Sequence, residues 1–226
     1  MKILPYYLYV NRACYHLRVA FITIEGGEGV GKTTQVKLLK ERFPKIYPDH
    51  KFIFTKEPGG TLFADKVREL ILSDAAKEVS GKAIFGLFLA SRLDHVERII
   101  DPALKNREVV VCDRFAASTY AYQIVAQKTP ELLPLYKVHL ALLPTPDLTV
   151  IFDLDPSVAL ARIEARRNQQ LTHFDAQGLP FHERLRVGFR EYAKLFASDR
   201  AVFIDANRPI EEIHQDVLIA IKSVLT

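Results

Sequence analysis

Eight consecutive residues limit what this 226-residue chain can fold into more than any other stretch: Gly26-Gly27-Glu28-Gly29-Val30-Gly31-Lys32-Thr33. They follow a short apolar run, Ala20 to Glu25, and open an amphipathic stretch, Thr33 to Arg42, so the pattern is strand, glycine-rich turn, helix. The spacing G-x-x-x-x-G-K-[ST] in that context is a phosphate-binding loop. Glycine lets the backbone wrap an anion so that amide N–H groups and the helix N-terminus face it. The expected nucleotide-binding residues run from Gly26 through Thr33 to Thr34, with Lys32 reaching the outer phosphates and the Thr33 hydroxyl offered to Mg2+.

The strand-then-helix unit recurs to the C-terminus. Ala20 to Glu25, Lys51 to Thr55, Val109 to Cys112, Leu148 to Leu154 and Ala201 to Ile204 read as strands rich in Val, Ile and Phe. Helical patterns fall at Thr33 to Arg42, Phe63 to Ser73, Lys82 to Lys105, Ala116 to Gln127, Leu132 to Leu142, Pro156 to Arg166, Pro180 to Ala197 and Pro209 to Val224. Such alternation implies a parallel sheet, and the near-continuous apolar character of Val109-Val110-Val111 suits strands covered on both faces. The expectation is an α/β fold of three layers with a five-stranded parallel sheet, forming one domain over residues 19–226. The aperiodic polar segment Asn168 to Gly178 reads as a surface loop.

Composition narrows the class. With 49% hydrophobic and 26% charged residues the chain is globular, and its length buries a full core without staples. Cys14 and Cys112 are too few for a disulfide scaffold and have no zinc-ligand spacing, which points to a reducing, cytoplasmic setting. The longest apolar stretch, Ala83 to Ala90, is far below the roughly 18 residues of a membrane span. The net charge of +4 owes three cations to Lys2, Arg12 and Arg18, unopposed by any acid before residue 19, so the remainder is close to balanced and gives no footprint for nucleic acid. Residues 1–18, which hold four of the nine tyrosines, stand apart in composition. Pro5 interrupts their apolar run and no small-x-small cleavage site follows, so they are not read as a signal peptide. The expectation is a misannotated start, with a partner-binding arm as the alternative.

Asp113-Arg114 follows the third strand, an acid placed to hold Mg2+ or its water and then an arginine placed to clamp a second anion, the phosphate of an acceptor. That pairing favours a kinase for a small phosphorylated molecule over a hydrolytic switch. Phe88 and Arg92 lie four apart on one helix and share a face, where an aromatic can stack a base and a cation can grip its phosphate. On periodicity alone Phe88 reads as core packing. Thr119, Tyr122 and Gln123 form another one-face cluster at i, i+3 and i+4. Arg162 and Arg166 share a face with Arg167 beside them, which fits a cationic lid or a solvated charge run.

These residues sit inside longer blocks: FITIEGGEGVGKTTQVKLL, EPGGT from Glu57 to Thr61, FLASRLDHVE from Phe88 to Glu97, VVVCDRFAASTYAYQ, PDLTVIFDLDP and FHERLRVGF. In that order they resemble the thymidylate kinases from Phe21 to the C-terminus. The resemblance implies a nucleoside monophosphate kinase fold, ATP and Mg2+ as cofactors, dTMP as acceptor and a homodimer. It implies catalytic roles for Lys32, Arg114, Arg166 and Glu28, the last acting on the acceptor sugar 3′-hydroxyl and Mg2+-bound water, and Mg2+ at Thr33 and Asp113. It also implies acceptor contacts from Glu28, Arg68, Phe88, Arg92, Arg114, Thr119, Tyr122 and Gln123, with Tyr122 crowding the place of a ribose 2′-hydroxyl. Arg68 would donate to the thymine carbonyl, although by itself it reads as a solvated helix position. Gly29 stands where one subgroup has a basic residue, so the resemblance implies that the charge on the γ-phosphate comes from arginines of a lid at about residues 164–178, Arg166 first. The chain departs from the family at Lys56, where arginine is usual, at Thr172-His173-Phe174-Asp175 in the lid, and at Ile124-Val125-Ala126 after Gln123. Two alternatives remain at this point: a kinase for another nucleoside monophosphate, and an ATP-binding switch without an acceptor.

Overall fold

The computed structural model describes residues 18–165 and 177–225. Residues 1–17, Cys14 among them, lie outside the described residues, as do Arg166, Arg167 and Thr172 to Asp175. Five strands form one parallel sheet: β1 (Phe21–Gly26), β2 (Phe52–Lys56), β3 (Val109–Asp113), β4 (Leu148–Asp153) and β5 (Ala201–Asp205), in the order β2-β3-β1-β4-β5. Each begins and ends within one residue of its sequence-based limits. β1 is central and wholly buried, pairing with β3 through Phe21↔Val110 and with β4 through Ile22↔Leu148.

Strand alternation sends successive side chains to opposite faces of the sheet. Ile22, Ile24, Val109, Val111 and Val150 pack with Leu39 and Phe43 of α1 (Lys32–Ile46) and with Ile213, Val217 and Ile221 of α9 (Ile210–Leu225). Phe21, Val110 and Cys112 face the other way, onto Val96 and Ile100. Ile151 lies in a further apolar cluster with Leu185 and Phe189 of α8 (Leu179–Phe196) and with Tyr120 and Tyr122. The remaining α-helices among the described residues are α2 (Leu62–Leu72), α3 (Gly81–His95), α4 (Asp101–Lys105), α5 (Ala116–Thr119), α6 (Leu133–Leu140) and α7 (Pro156–Glu164).

Two helices differ from their sequence reading in pitch. α3 runs into α4 through a π-helical turn, Val96–Ile100, and α5 continues as a π-helical segment, Tyr120–Ala126. The sequence predicts the extent of each helix, because apolar spacing tolerates a local change from four to five residues per hydrogen-bonded turn. In a parallel α/β sheet, ligands gather at the carboxyl ends of the strands. The loops after β1 and β3 both leave from that end.

Candidate active site

The loop after β1 lies against α7. Gly29 has φ +73°, and a Cβ there would come within 2.5 Å of the Ala159 carbonyl oxygen. No side chain fits at that position, which accounts for the missing basic residue in physical terms. Lys32, the first residue of α1, is buried and donates through Nζ to the carbonyl oxygens of Gly26, at 3.0 Å, and Gly27. Burial, with Arg114 beside it, lowers the Lys32 pKa to about 8 against the opposing pull of Asp113, Glu28 and Glu25. Thr33 follows with an exposed side chain.

Arg114 links this loop to the one after β3. Its backbone is left-handed, φ +70°, a strained conformation for a residue with a Cβ. One guanidinium nitrogen donates to the Gly26 carbonyl at 3.0 Å and the Ser118 hydroxyl at 3.1 Å, and the other pairs with Glu28 Oε1 at 2.9 Å. The Tyr122 hydroxyl donates to Glu28 Oε2, and the Arg114 guanidinium lies 5.1 Å from the Tyr122 ring centre. Burial alone would raise the Glu28 carboxyl. Arg114 and Lys32, with the Tyr122 hydrogen bond, outweigh it and hold Glu28 below the ordinary glutamate value. The acid inside an anion-binding loop is thus balanced by two cations.

Glu28 and Arg114 also line a cavity of about 180 Å³ with Arg68, Phe88, Arg92, Thr119, Tyr122 and Gln123. Every acceptor-side residue expected from the sequence is brought to this one space. Phe88 is partly buried against the core and lines the cavity too, and Arg68, which donates to the Pro58 carbonyl at 3.2 Å, is not a freely solvated helix residue. Thr119 Oγ1 and Gln123 Nε2 are buried and have no hydrogen-bond partner among the described residues, so the wall offers one acceptor/donor hydroxyl and one amide donor. Lys56 is exposed and is not part of the lining. Arg162 donates to the Ala206 carbonyl at 3.1 Å.

Asp113 closes β3, and its Oδ1 is buried without a hydrogen-bond partner among the described residues. A carboxylate oxygen of that kind, and the hydroxyl of the exposed Thr33, are the hard-oxygen donor chemistry that suits Mg2+.

Three buried groups are given no role by the sequence reading. Glu25, within β1, accepts the Phe115 N–H at 2.8 Å and the Ser118 hydroxyl at 2.6 Å, fixing the loop that carries Arg114, and burial raises its pKa. Glu57 accepts from Arg92 Nε at 2.6 Å. His139 lies 3.4 Å from Arg92 through Nε2, and burial, with Arg92 beside it, depresses its pKa to about 3, so it is neutral. An acid ending an apolar strand is the only signal for Glu25, and α6 carries none for His139.

A central strand delivering a phosphate loop, beside a second strand delivering an acid and an arginine, defines a P-loop fold of the nucleoside monophosphate kinase class. A family model described as thymidylate kinase matches residues 24–217. The thymidylate kinase of Caulobacter vibrioides is 42% identical over 194 residues, 85% of this chain and 91% of that protein. That of Rhodopseudomonas palustris is 40% identical over 217 residues, 94% of this chain and 91% of that protein. The crystal structure of thymidylate kinase from Ehrlichia chaffeensis superposes with a TM-score of 0.70 at 31% identity, covering 91% of this chain and 99% of that one. The chain belongs to the thymidylate kinase family.

Proposed function

We propose that this protein transfers the γ-phosphoryl group of ATP to dTMP, giving dTDP and ADP, a step toward dTTP. The observation that carries the reading is Arg114, which bonds the Gly26 carbonyl of the phosphate loop and Glu28 while lining the acceptor-side cavity with Arg92. One residue thereby ties the donor and acceptor positions to a fixed separation. Lys32 would hold the outer phosphates of ATP, and Arg92 and Arg114 the acceptor phosphate. Phe88 would stack on the base, with Arg68, Thr119 and Gln123 along its polar edge. Glu28 and Tyr122 would meet the sugar. Thr33 and Asp113 would hold Mg2+, which would supply charge neutralisation at the phosphates. Arg166 is proposed as the lid cation that covers the transferred group.

We also propose a homodimer in the cytoplasm. Leu135, Val138 and Leu142, on one face of α6 and its continuation, are 48%, 63% and 58% exposed, an apolar stripe that suits a partner subunit. Among the described residues no helix is long and apolar enough to cross a membrane.

The test is a turnover assay with Mg-ATP and dTMP, dUMP, dCMP, UMP and AMP, following ADP and diphosphate product separately. The expected result is a dominant dTMP activity with ADP and dTDP formed one for one. ADP formation indifferent to the acceptor would overturn the reading in favour of an ATP-driven switch.

A further inference from the structure

Glu57, His95 and Cys112 are buried, with potential ligand atoms within 4.8 Å of one another, as in a metal-binding trio. Their hydrogen bonds give them a different task. Glu57 Oε2 accepts from Arg92 Nε at 2.6 Å and Oε1 from His95 Nδ1 at 2.9 Å. His95 Nε2 lies 2.6 Å from the Thr55 hydroxyl. Both ring nitrogens are therefore engaged, and the Cys112 thiol, its pKa raised well above the ordinary value by burial, donates to the Arg114 carbonyl at 3.0 Å. A carboxylate only accepts, so Nδ1 of His95 carries a proton and donates it to Glu57.

The arrangement is a pincer. Arg92 and His95 are i and i+3 on one face of α3 and grip one oxygen each of the same carboxylate. Thr55 and Glu57 are i and i+2 along the extended chain leaving β2, so His95 spans two side chains on one side of it. Arg92 is 2% exposed and has five N–H donors. Nε goes to Glu57, one terminal nitrogen to the Phe115 carbonyl at 3.0 Å, and the other to the neutral His139 at 3.4 Å. Two N–H groups remain on a side chain that lines the acceptor cavity.

We propose that His95 is a positioning residue for the acceptor: through Glu57, with Thr55 as its outer anchor, it fixes the rotation of the Arg92 guanidinium so that the two remaining N–H groups meet the acceptor phosphate. This rests on the dTMP reading above. Without His95, Oε1 of a buried carboxylate loses its donor, and the Glu57–Arg92 pair turns to recover one. Arg92 then presents the wrong edge to the phosphate.

The test measures dTMP binding by calorimetry without ATP, then KM for both substrates and the unfolding temperature, in the wild type, His95→Leu, His95→Asn and Thr55→Val. An asparagine amide can take the place of Nδ1–H. His95→Leu is expected to weaken dTMP binding about tenfold or more and to leave KM for ATP within about twofold. His95→Asn should restore dTMP binding to within about threefold of wild type, and Thr55→Val should weaken it about threefold. The inference fails if His95→Leu binds dTMP normally, if both substrates weaken together, or if His95→Asn is as impaired as His95→Leu. Should His95→Leu not fold, Thr55→Val decides: a dTMP-only loss supports the role and wild-type binding ends it. A wild type that neither binds nor phosphorylates dTMP would defeat the acceptor reading as well, whereas an active wild type with unaffected variants defeats this inference alone.

Discussion

Lys32 is held on the carbonyls of Gly26 and Gly27 with a pKa near 8, and that value couples nucleotide binding to protons. A polyphosphate supplies counter-charge and raises the pKa, so ATP binding at pH 8 to 9 is expected to take up part of a proton. Calorimetry in buffers of different ionisation heat reads it, and a heat independent of buffer would refute it. The folded pKa lies below the ordinary lysine value of 10.5, so between about pH 8 and 10.5 the unfolded chain binds more protons and stability rises with pH. Lys32→Met should accordingly abolish transfer and remove the rise in stability between about pH 8 and 10.5 that urea unfolding reads in the wild type. Arg114→Ala should cost about 10²–10³ in kcat/KM with little loss of fold, and Arg114→Lys should not rescue it, because three partners meet a fork that lysine lacks. Arg114 was legible because it follows an acid at a strand end. Glu57 was visible only as part of EPGGT: its partners Arg92 and His95 lie 35 and 38 residues on, and no local pattern pairs them.

Helices were legible in extent and less so in path. The stripe at Ile84, Phe85, Val96 and Ile100 marks α3 and its continuation, yet periodicity did not show the π-helical turn at Val96–Ile100. The π-helical segment Tyr120–Ala126 matters more, since it carries Tyr122 and Gln123. α8 packs closely on it: a Cβ at Gly188 would lie 2.8 Å from Ala121 Cα and 3.1 Å from Val125 Cβ. Alanine there gains about 1 kcal/mol of helix propensity, which masks part of the clash, so valine is the cleaner probe. Gly188→Val is expected to lose about 2 kcal/mol or more in urea unfolding and to raise KM for dTMP while sparing ATP. Loss of stability with both KM values unchanged would show that α8 supports the fold but does not set the cavity wall.

At the scale of the molecule, the α6 stripe makes assembly measurable. Sedimentation should give twice the chain mass for the wild type, and Val138→Glu, at a residue 63% exposed, should shift it to a folded monomer whose unfolding temperature no longer depends on protein concentration. The parallel sheet was legible from the strand–helix alternation, but its order was not, because the neighbours of β1 are remote in sequence. β1 is made first and stands in the middle, and β2, the next strand made, does not touch it. Its first neighbour, β3, comes about 90 residues later, and on its other side Thr149 is 126 residues from Thr23. At about 5–20 residues per second of synthesis, the apolar segment Phe21 to Gly26 waits roughly 4–18 s for its first neighbour. Every nascent chain therefore carries an unpaired β-forming segment until β3 emerges, an interval in which that segment is open to pairing with other chains.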